Sequence, residues 1–234
     1  IAANHVCAAQ IVRMLEEYGL DDLDDLADEI ITRSEKSIRA SIAKAPAGVY
    51  RSEGVIEQVE GQPEVLIRCA VTIQGSDITV DLTGSSLQVE WGGNVVYNFT
   101  YAYVHMAVKS IFDPEIPNND GIAAPIRLIA PEGTVVNCRH PAAVAARMQI
   151  GHFITEIIYR ALARALPDRV VAAGGGTPAT MQMFYGRHGD GRPFHTVLIR
   201  GGGLGASATR DGEGSFIFPA NGANTPVEIL ESDS

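Results

Sequence analysis

Apolar residues at Ile150, Phe153, Ile154, Ile157, Ile158, Ala161, Leu162, Ala165 and Leu166 recur at intervals of three and four. That spacing lays one continuous stripe along an α-helix and predicts a helix over about 150–166. Pro167 sets its end, because proline has no amide proton to donate and disfavours helical geometry in the residue before it. His152, Glu156 and Tyr159 fall on the opposite side, with Arg147 just ahead of the helix in a loop that also holds His140. His152 and Glu156 are one turn apart and face the same way, so this side is a candidate for chemistry. The ordinary expectation for a polar face opposite an apolar stripe is solvation.

The same pattern places the other elements. Cys7, Ile11, Met14, Leu15 and Tyr18 mark a first helical stripe, closed by Gly19, a residue suited to a left-handed backbone. A second helix is predicted over about 22–45, with Leu23, Leu26, Ile30, Ile31, Ile38 and Ile42 as its stripe and Pro46 as its stop. Residues 1–46 therefore read as a helical hairpin. From 49 to 83 the period drops to two, in runs over 49–59, 65–73 and 78–82 separated by Glu60-Gly61-Gln62-Pro63 and Gly75-Ser76-Asp77, which predicts an antiparallel meander. Its last strand enters Asp81-Leu82-Thr83-Gly84-Ser85-Ser86, read first as a turn held by side chain to backbone hydrogen bonds. Gly92, Gly93 and Asn94 lead to a third helix at about 98–112, with Val104, Ala107, Val108 and Ile111 inward.

The loop Asp113-Pro114-Glu115-Ile116-Pro117-Asn118-Asn119-Asp120-Gly121 reads as rigid, and its paired amides as binding rather than proton-transfer groups. Short strands are predicted at 126–129 and 134–136, and a glycine-rich hairpin with strands at 181–185 and 194–199 around Gly189-Asp190-Gly191. The fold class is α+β: a helical hairpin at 1–46, then a body over 47–234 with a mostly antiparallel sheet and the long helix at about 150–166 packed on it.

Composition narrows the function classes. The 234 residues carry a formal net charge of -10, with 46% hydrophobic and 20% charged residues, which fits a globular protein and disfavours nucleic acid or an anionic membrane as partner. The carboxylates between Asp21 and Glu29 suit the start of a helix better than a cation site. Cys7, Cys69 and Cys138 are widely spaced and form no metal-binding pattern, so a reduced, cytoplasmic protein is expected and no metal ligands are assigned. No apolar run reaches the length of a membrane span and no leader pattern is seen. The chain opens on Ile1 already in helical rhythm, so it is expected to be a piece of a longer one.

Familiar catalytic patterns are missing. Gly201-Gly202-Gly203-Leu204-Gly205-Ala206 nominally fits a dinucleotide fingerprint, yet the polar, glycine-broken 207–214 offers no helix to receive a pyrophosphate. There is no phosphate loop and no H-E-x-x-H, and Ser207 lacks the closing glycine of a nucleophile elbow. Cys138 with His140 reads as a loop thiol rather than a nucleophile and its base.

Seven blocks in order resemble the hydantoinase B family: IAANHVCAAQIVRMLEEYG, ITVDLTGSS, DPEIPNNDGI, IAPEGTVVN, the stretch PAAVAARMQIGHF with ALPDRV, GGGLGA and NTPVEILE. That family includes the B components of N-methylhydantoinases, the C-terminal half of 5-oxoprolinases and the alpha subunits of acetone-type carboxylases. The resemblance implies a B component of an ATP-dependent cyclic amide hydrolase, with an acetone-type carboxylase alpha subunit or a non-catalytic assembly module as alternatives. It implies a hetero-oligomer with a hydantoinase A-type ATP-binding partner, which would supply ATP and Mg2+. It also implies a metal site in a preceding region, whose Asp-Pro-Tyr and Gly-Thr-His motif these residues lack. On this reading His152 or Asp81 activates water, Arg147 holds anionic oxygen, and Asn118, Asn119 and Asn94 bind substrate. One departure stands out, since Met148 occupies a place where relatives with this motif often have histidine.

Overall fold

The computed structural model describes residues 2–57, 64–175, 181–199 and 202–214. The turn expected at Glu60-Gly61-Gln62-Pro63 and the NTPVEILE block lie outside them. Helices α1 (Ala2–Tyr18) and α2 (Asp24–Ile42) come first, followed by strands β1 (Gly48–Ile56), β2 (Val65–Gln74) and β3 (Asp77–Asp81). Helix α3 (Tyr97–Phe112), a single turn α4 (Asp120–Ala123) and strand β4 (Ile126–Ile129) lead to the long helix α5 (Arg147–Leu162). Strands β5 (Met181–Arg187) and β6 (Pro193–Ile199) form a separate antiparallel hairpin. No described helix is long and apolar enough to cross a membrane.

The main sheet has the order β1-β2-β3-β4. β1 runs antiparallel to β2, from Gly48 opposite Ile73 to Ile56 opposite Val65, and β2 antiparallel to β3. Only β4 joins in parallel, as expected for a strand reached through a helical crossover. Alternation makes the sheet two-faced: Val65, Ile67, Cys69, Val71 and Ile73 are buried, while β1 turns Val49, Arg51, Glu53 and Val55 to solvent. α5 lies over β1 and β2, and α3 packs beside it.

Two glycines allow that packing. A Cβ on Gly54 of β1 would lie 2.7 Å from the tips of Ile157 and Phe153, and one on Gly151 of α5 would lie 2.5 Å from Tyr103 and 2.7 Å from Phe99. Ser52 then donates to the Ile157 carbonyl at 2.7 Å, tying strand to helix. Ile150, Ile154, Ile157, Ile158 and Leu162 are fully buried, each contributing about 2 kcal/mol relative to exposure. The Tyr159 hydroxyl meets Ser110 of α3.

Several expectations need correction. Arg147 is the first residue of α5 rather than a loop residue, and the regular helix ends at Leu162, with 163–165 continuing as a turn ahead of Leu166, the residue whose backbone Pro167 restricts. Residues 134–136 form no strand. Thr134 instead bridges Leu87 and Asn137 within a tight turn that drives Val135 and Val136 into the core. The helices at 1–46 are present, but only the second half of α2 is seated, through Ser34, Ile38 and Ile42. Leu26 and Ile30 are exposed, and α1 buries no residue, with Ile11 40% and Tyr18 69% exposed.

Gly121 marks where α4 meets α2: a Cβ there would overlap the Ile31 carbonyl and lie 2.9 Å from the Glu35 nitrogen, both backbone. Gly121→Ala is expected to lower unfolding free energy by about 2 kcal/mol in urea titrations, since backbone cannot rotate away; an unchanged midpoint would show the contact to be soft. The His105 ring of α3 lies tilted against that of Tyr101, centroids 4.0 Å apart, and burial pushes its imidazole below the ordinary value. The unfolded chain then binds a proton that the folded one resists, so stability falls as pH drops below about 6.5. His105→Phe is expected to lose less stability between pH 7.5 and 5.5 than the parent, and equal losses would remove His105 as the cause.

Candidate functional site

The side of α5 opposite the sheet does not face open solvent. His152, Thr155 and Tyr159 are buried, and with Glu156 and Arg160 they form one wall of a pocket of about 390 Å3. Helical spacing explains the row, since positions 152, 155, 156, 159 and 160 share a side at i, i+3, i+4, i+7 and i+8. The solvated face expected from the pattern is thus a covered polar one. The cover is the chain beyond Pro167, whose Val170, Val171, Ala172, Ala173 and Gly174 form the facing wall together with Ala208.

Glycine builds that cover. Ala172 donates to the Ala206 carbonyl at 2.8 Å and Gly175 to the Gly203 carbonyl at 3.1 Å, so the two segments run antiparallel. Leu204 donates in turn to Glu213 at 2.8 Å. A Cβ on Gly175, Gly202, Gly205 or Gly212 would overlap the opposing backbone. The described part of the GGGLGA run therefore serves close chain crossing, and no helix follows within 202–214.

Within the pocket, Arg160 pairs with Glu156 at 3.3 Å and also donates to the Glu53 carbonyl at 3.1 Å. Burial raises the Tyr159 phenol, against a smaller lowering by its bond with Ser110, so it stays protonated at neutral pH. The His152 ring lies 5.8 Å from that of Tyr103. The Thr155 hydroxyl is buried without a hydrogen-bond partner. The site thus offers polar groups, among them the Glu156–Arg160 ion pair, on one side and aliphatic carbon on the other, a lining and a size suited to a small molecule.

The residues singled out by sequence do not converge here. Of the proposed catalytic three only His152 lines the pocket. Arg147 is exposed, its guanidinium 5.5 Å from the Phe99 ring centre, and Met148 takes a long contact of 3.8 Å from the Tyr103 hydroxyl. Asp81 lies on the other side of the sheet, in a cavity of about 380 Å3 lined also by Arg51, Glu53 and Arg68, where it accepts from the Thr83 amide at 2.8 Å. Burial, with Asp81 adding its charge, pushes the neighbouring Cys69 thiol up to about 12, so this thiol is inert.

The amides have structural employment. Asn94 is fully buried, accepting from Val89 at 2.8 Å and donating to the carbonyls of Val89, Trp91 and Ala143. It clamps the loop ahead of α5. Asn119 caps α4 through the Gly121 amide at 2.9 Å and donates to Ser34 at 2.7 Å, while Asn118 stands exposed beside it. Sequence reasoning missed Thr155 and Arg160, which the helical period alone would have placed beside His152 and Glu156. It also missed the wall at 170–174, which carries no chemical signal. Among the described residues no three His, Cys, Asp or Glu side chains gather as metal ligands.

Comparison with known proteins adds the family. The model for Hydantoinase B/oxoprolinase matches residues 1–234. A protein of Pseudomonas sp. strain NS671, named as the B component of a D-/L-hydantoinase, is 30% identical over 245 residues, which cover 99% of this chain and 41% of that protein. The crystal structure of ATP-dependent caprolactamase from Pseudomonas jessenii matches with a TM-score of 0.76 at 20% identity, over 91% of this chain and 37% of that one. A nucleotide-free acetone carboxylase matches with a TM-score of 0.67 at 18% identity, over 85% and 29%. These two show a shared fold, and the chain spans about two fifths of the length of the hydantoinase component.

The Asn94 geometry makes a prediction of its own. Asn94→Ala should cost about 3 kcal/mol of stability, because it strands buried backbone groups as well as losing bonds. Calorimetric unfolding checks it, and a midpoint within a degree of the parent would return the amide to the ligand-binding candidates.

Proposed function

The chain belongs to the hydantoinase B/oxoprolinase family, and from that premise we propose that it acts as the B-type component of an ATP-dependent cyclic amide hydrolase. The observation that carries this reading is the covered pocket beside α5, where His152, Thr155, Glu156 and Tyr159 face an aliphatic wall. A compact cyclic amide has the same two-sided character, with carbonyl and N–H on one edge and methylenes on the other. The likeness to the B component of a hydantoinase and to the fold of an ATP-dependent caprolactamase supports the class.

ATP and Mg2+ would bind a hydantoinase A-type partner, in a hetero-oligomer, a division of labour that the likeness to the B component of a hydantoinase supports. The nucleotide would supply there the activation that makes the amide carbonyl electrophilic. In this chain His152 accepts a proton from the attacking water and returns it to the departing ring nitrogen, so the C–N bond breaks without releasing an amide anion. The apolar wall at 170–173 limits competing water. Arg147, Asp81, Asn118 and Asn119 stand outside this pocket, so in this proposal they have no contact with substrate.

The test uses the complete two-component enzyme. His152→Gln is expected to lower kcat by about 100-fold with KM changed little, as for loss of a general base. Turnover within a few-fold of the parent would reject the role. Substrate consumption that requires bicarbonate would replace hydrolysis with ketone carboxylation.

A further inference from the structure

We infer that the Thr155 hydroxyl is the group through which the α5 pocket reads its ligand, and that the ligand it selects is a small uncharged molecule carrying a carbonyl or amide. The inference rests on the proposed function only for taking this pocket as the substrate site. Its own basis is the hydrogen-bond account of the pocket. Thr155 is 1% exposed, lines the cavity, and its Oγ1 has no partner.

A buried hydroxyl without a partner lowers stability, and native proteins keep such groups sparingly. A threonine on a helix also has a cheap local remedy, since its hydroxyl can bond a carbonyl one turn back. Thr155 does not take it. Valine has nearly the same shape and would fill this place without an unsatisfied oxygen. The hydroxyl is therefore unexplained by the fold alone, and its position in the pocket wall gives it a use.

The neighbouring groups set the ligand's charge. Glu156 and Arg160 neutralise one another at 3.3 Å, and Arg160 is further held by the Glu53 carbonyl. Tyr159 is engaged with Ser110 and its phenol stays protonated. Opposite them Val170, Val171, Ala172 and Ala173 offer only aliphatic carbon and backbone. An anionic ligand would lose its hydration with no uncommitted Lys or Arg among the described lining residues to replace it. A neutral carbonyl or amide loses less, and the hydroxyl can serve it as donor or acceptor.

The experiment follows binding by calorimetric titration of the complete two-component enzyme without nucleotide, using 2-pyrrolidinone as probe against the parent, Thr155→Val and Thr155→Ser. The parent should bind, Thr155→Val should bind about 10-fold more weakly, and Thr155→Ser should remain within about 3-fold. The thermal midpoint of Thr155→Val should equal or exceed that of the parent, because the substitution removes an unsatisfied oxygen. 5-Oxoproline, the same ring bearing a carboxylate, should bind at least about 10-fold more weakly than 2-pyrrolidinone. Absent binding, unchanged affinity in Thr155→Val, or a lowered midpoint in that variant would each overturn the role of the hydroxyl. Equal or tighter binding of 5-oxoproline would overturn the preference for an uncharged ligand. A Thr155-dependent affinity in a protein whose complex turns over no cyclic amide would leave this inference standing and remove the proposed activity.

Discussion

The close seating of α5 is the constraint from which the rest follows. The helix touches β1 at Gly54 and meets α3 at its own Gly151, two places where the missing Cβ removes a collision with aromatic or isoleucine side chains. Two such contacts on different sides of one helix fix its rotation as well as its distance. Once Phe153 and Ile157 are pressed on Gly54, and Tyr103 and Phe99 on Gly151, residues 152, 155, 156 and 159 can point only toward the remaining side. The direction of the polar row is thus set by packing, and the Glu156–Arg160 ion pair forms within it.

A second glycine device completes the enclosure. The segment beyond Pro167 covers the row only because residues 172–175 and 203–206 pair through their backbones, with glycines where side chains would collide. This arrangement gives a wall that is thin, apolar and bonded along its length. It also joins two stretches about thirty residues apart into one surface, so the pocket belongs to tertiary pairing rather than to a single motif. The Asn94 clamp acts at the other end, where its bond to the Ala143 carbonyl holds the approach to α5.

Periodicity made the skeleton legible. The helices, the meander and the glycine hairpin could all be placed because burial imposes a period of 3.6 or 2 on any element half in contact with a core. What failed to show was which apolar stripe has a surface to meet. Ile11 and Tyr18 repeat as regularly as Ile150 and Ile157, yet α1 buries nothing among the described residues. Local pattern records the capacity to pack, and the partner lies elsewhere in three dimensions. The 134–136 segment misled for a related reason, since two adjacent valines suit a strand and a buried tight turn equally.

The candidate site was harder to read, and the physical reason is the backbone. Asp81, Asn94 and Asn119 were attractive because carboxylates and amides can do chemistry, but each stands at a turn or helix start where main-chain groups lack ladder partners. Their side chains fill that need, with Asp81 serving Thr83, Asn94 serving the 89–94 loop, and Asn119 serving Gly121. A polar residue's chemistry is available to a ligand only after such local demands are met. Inside a regular helix they are already met by the helix itself, so a hydroxyl at Thr155 is released from them. By that argument the informative polar residues in this chain are those in mid-helix, on the side that the two glycine contacts leave uncommitted.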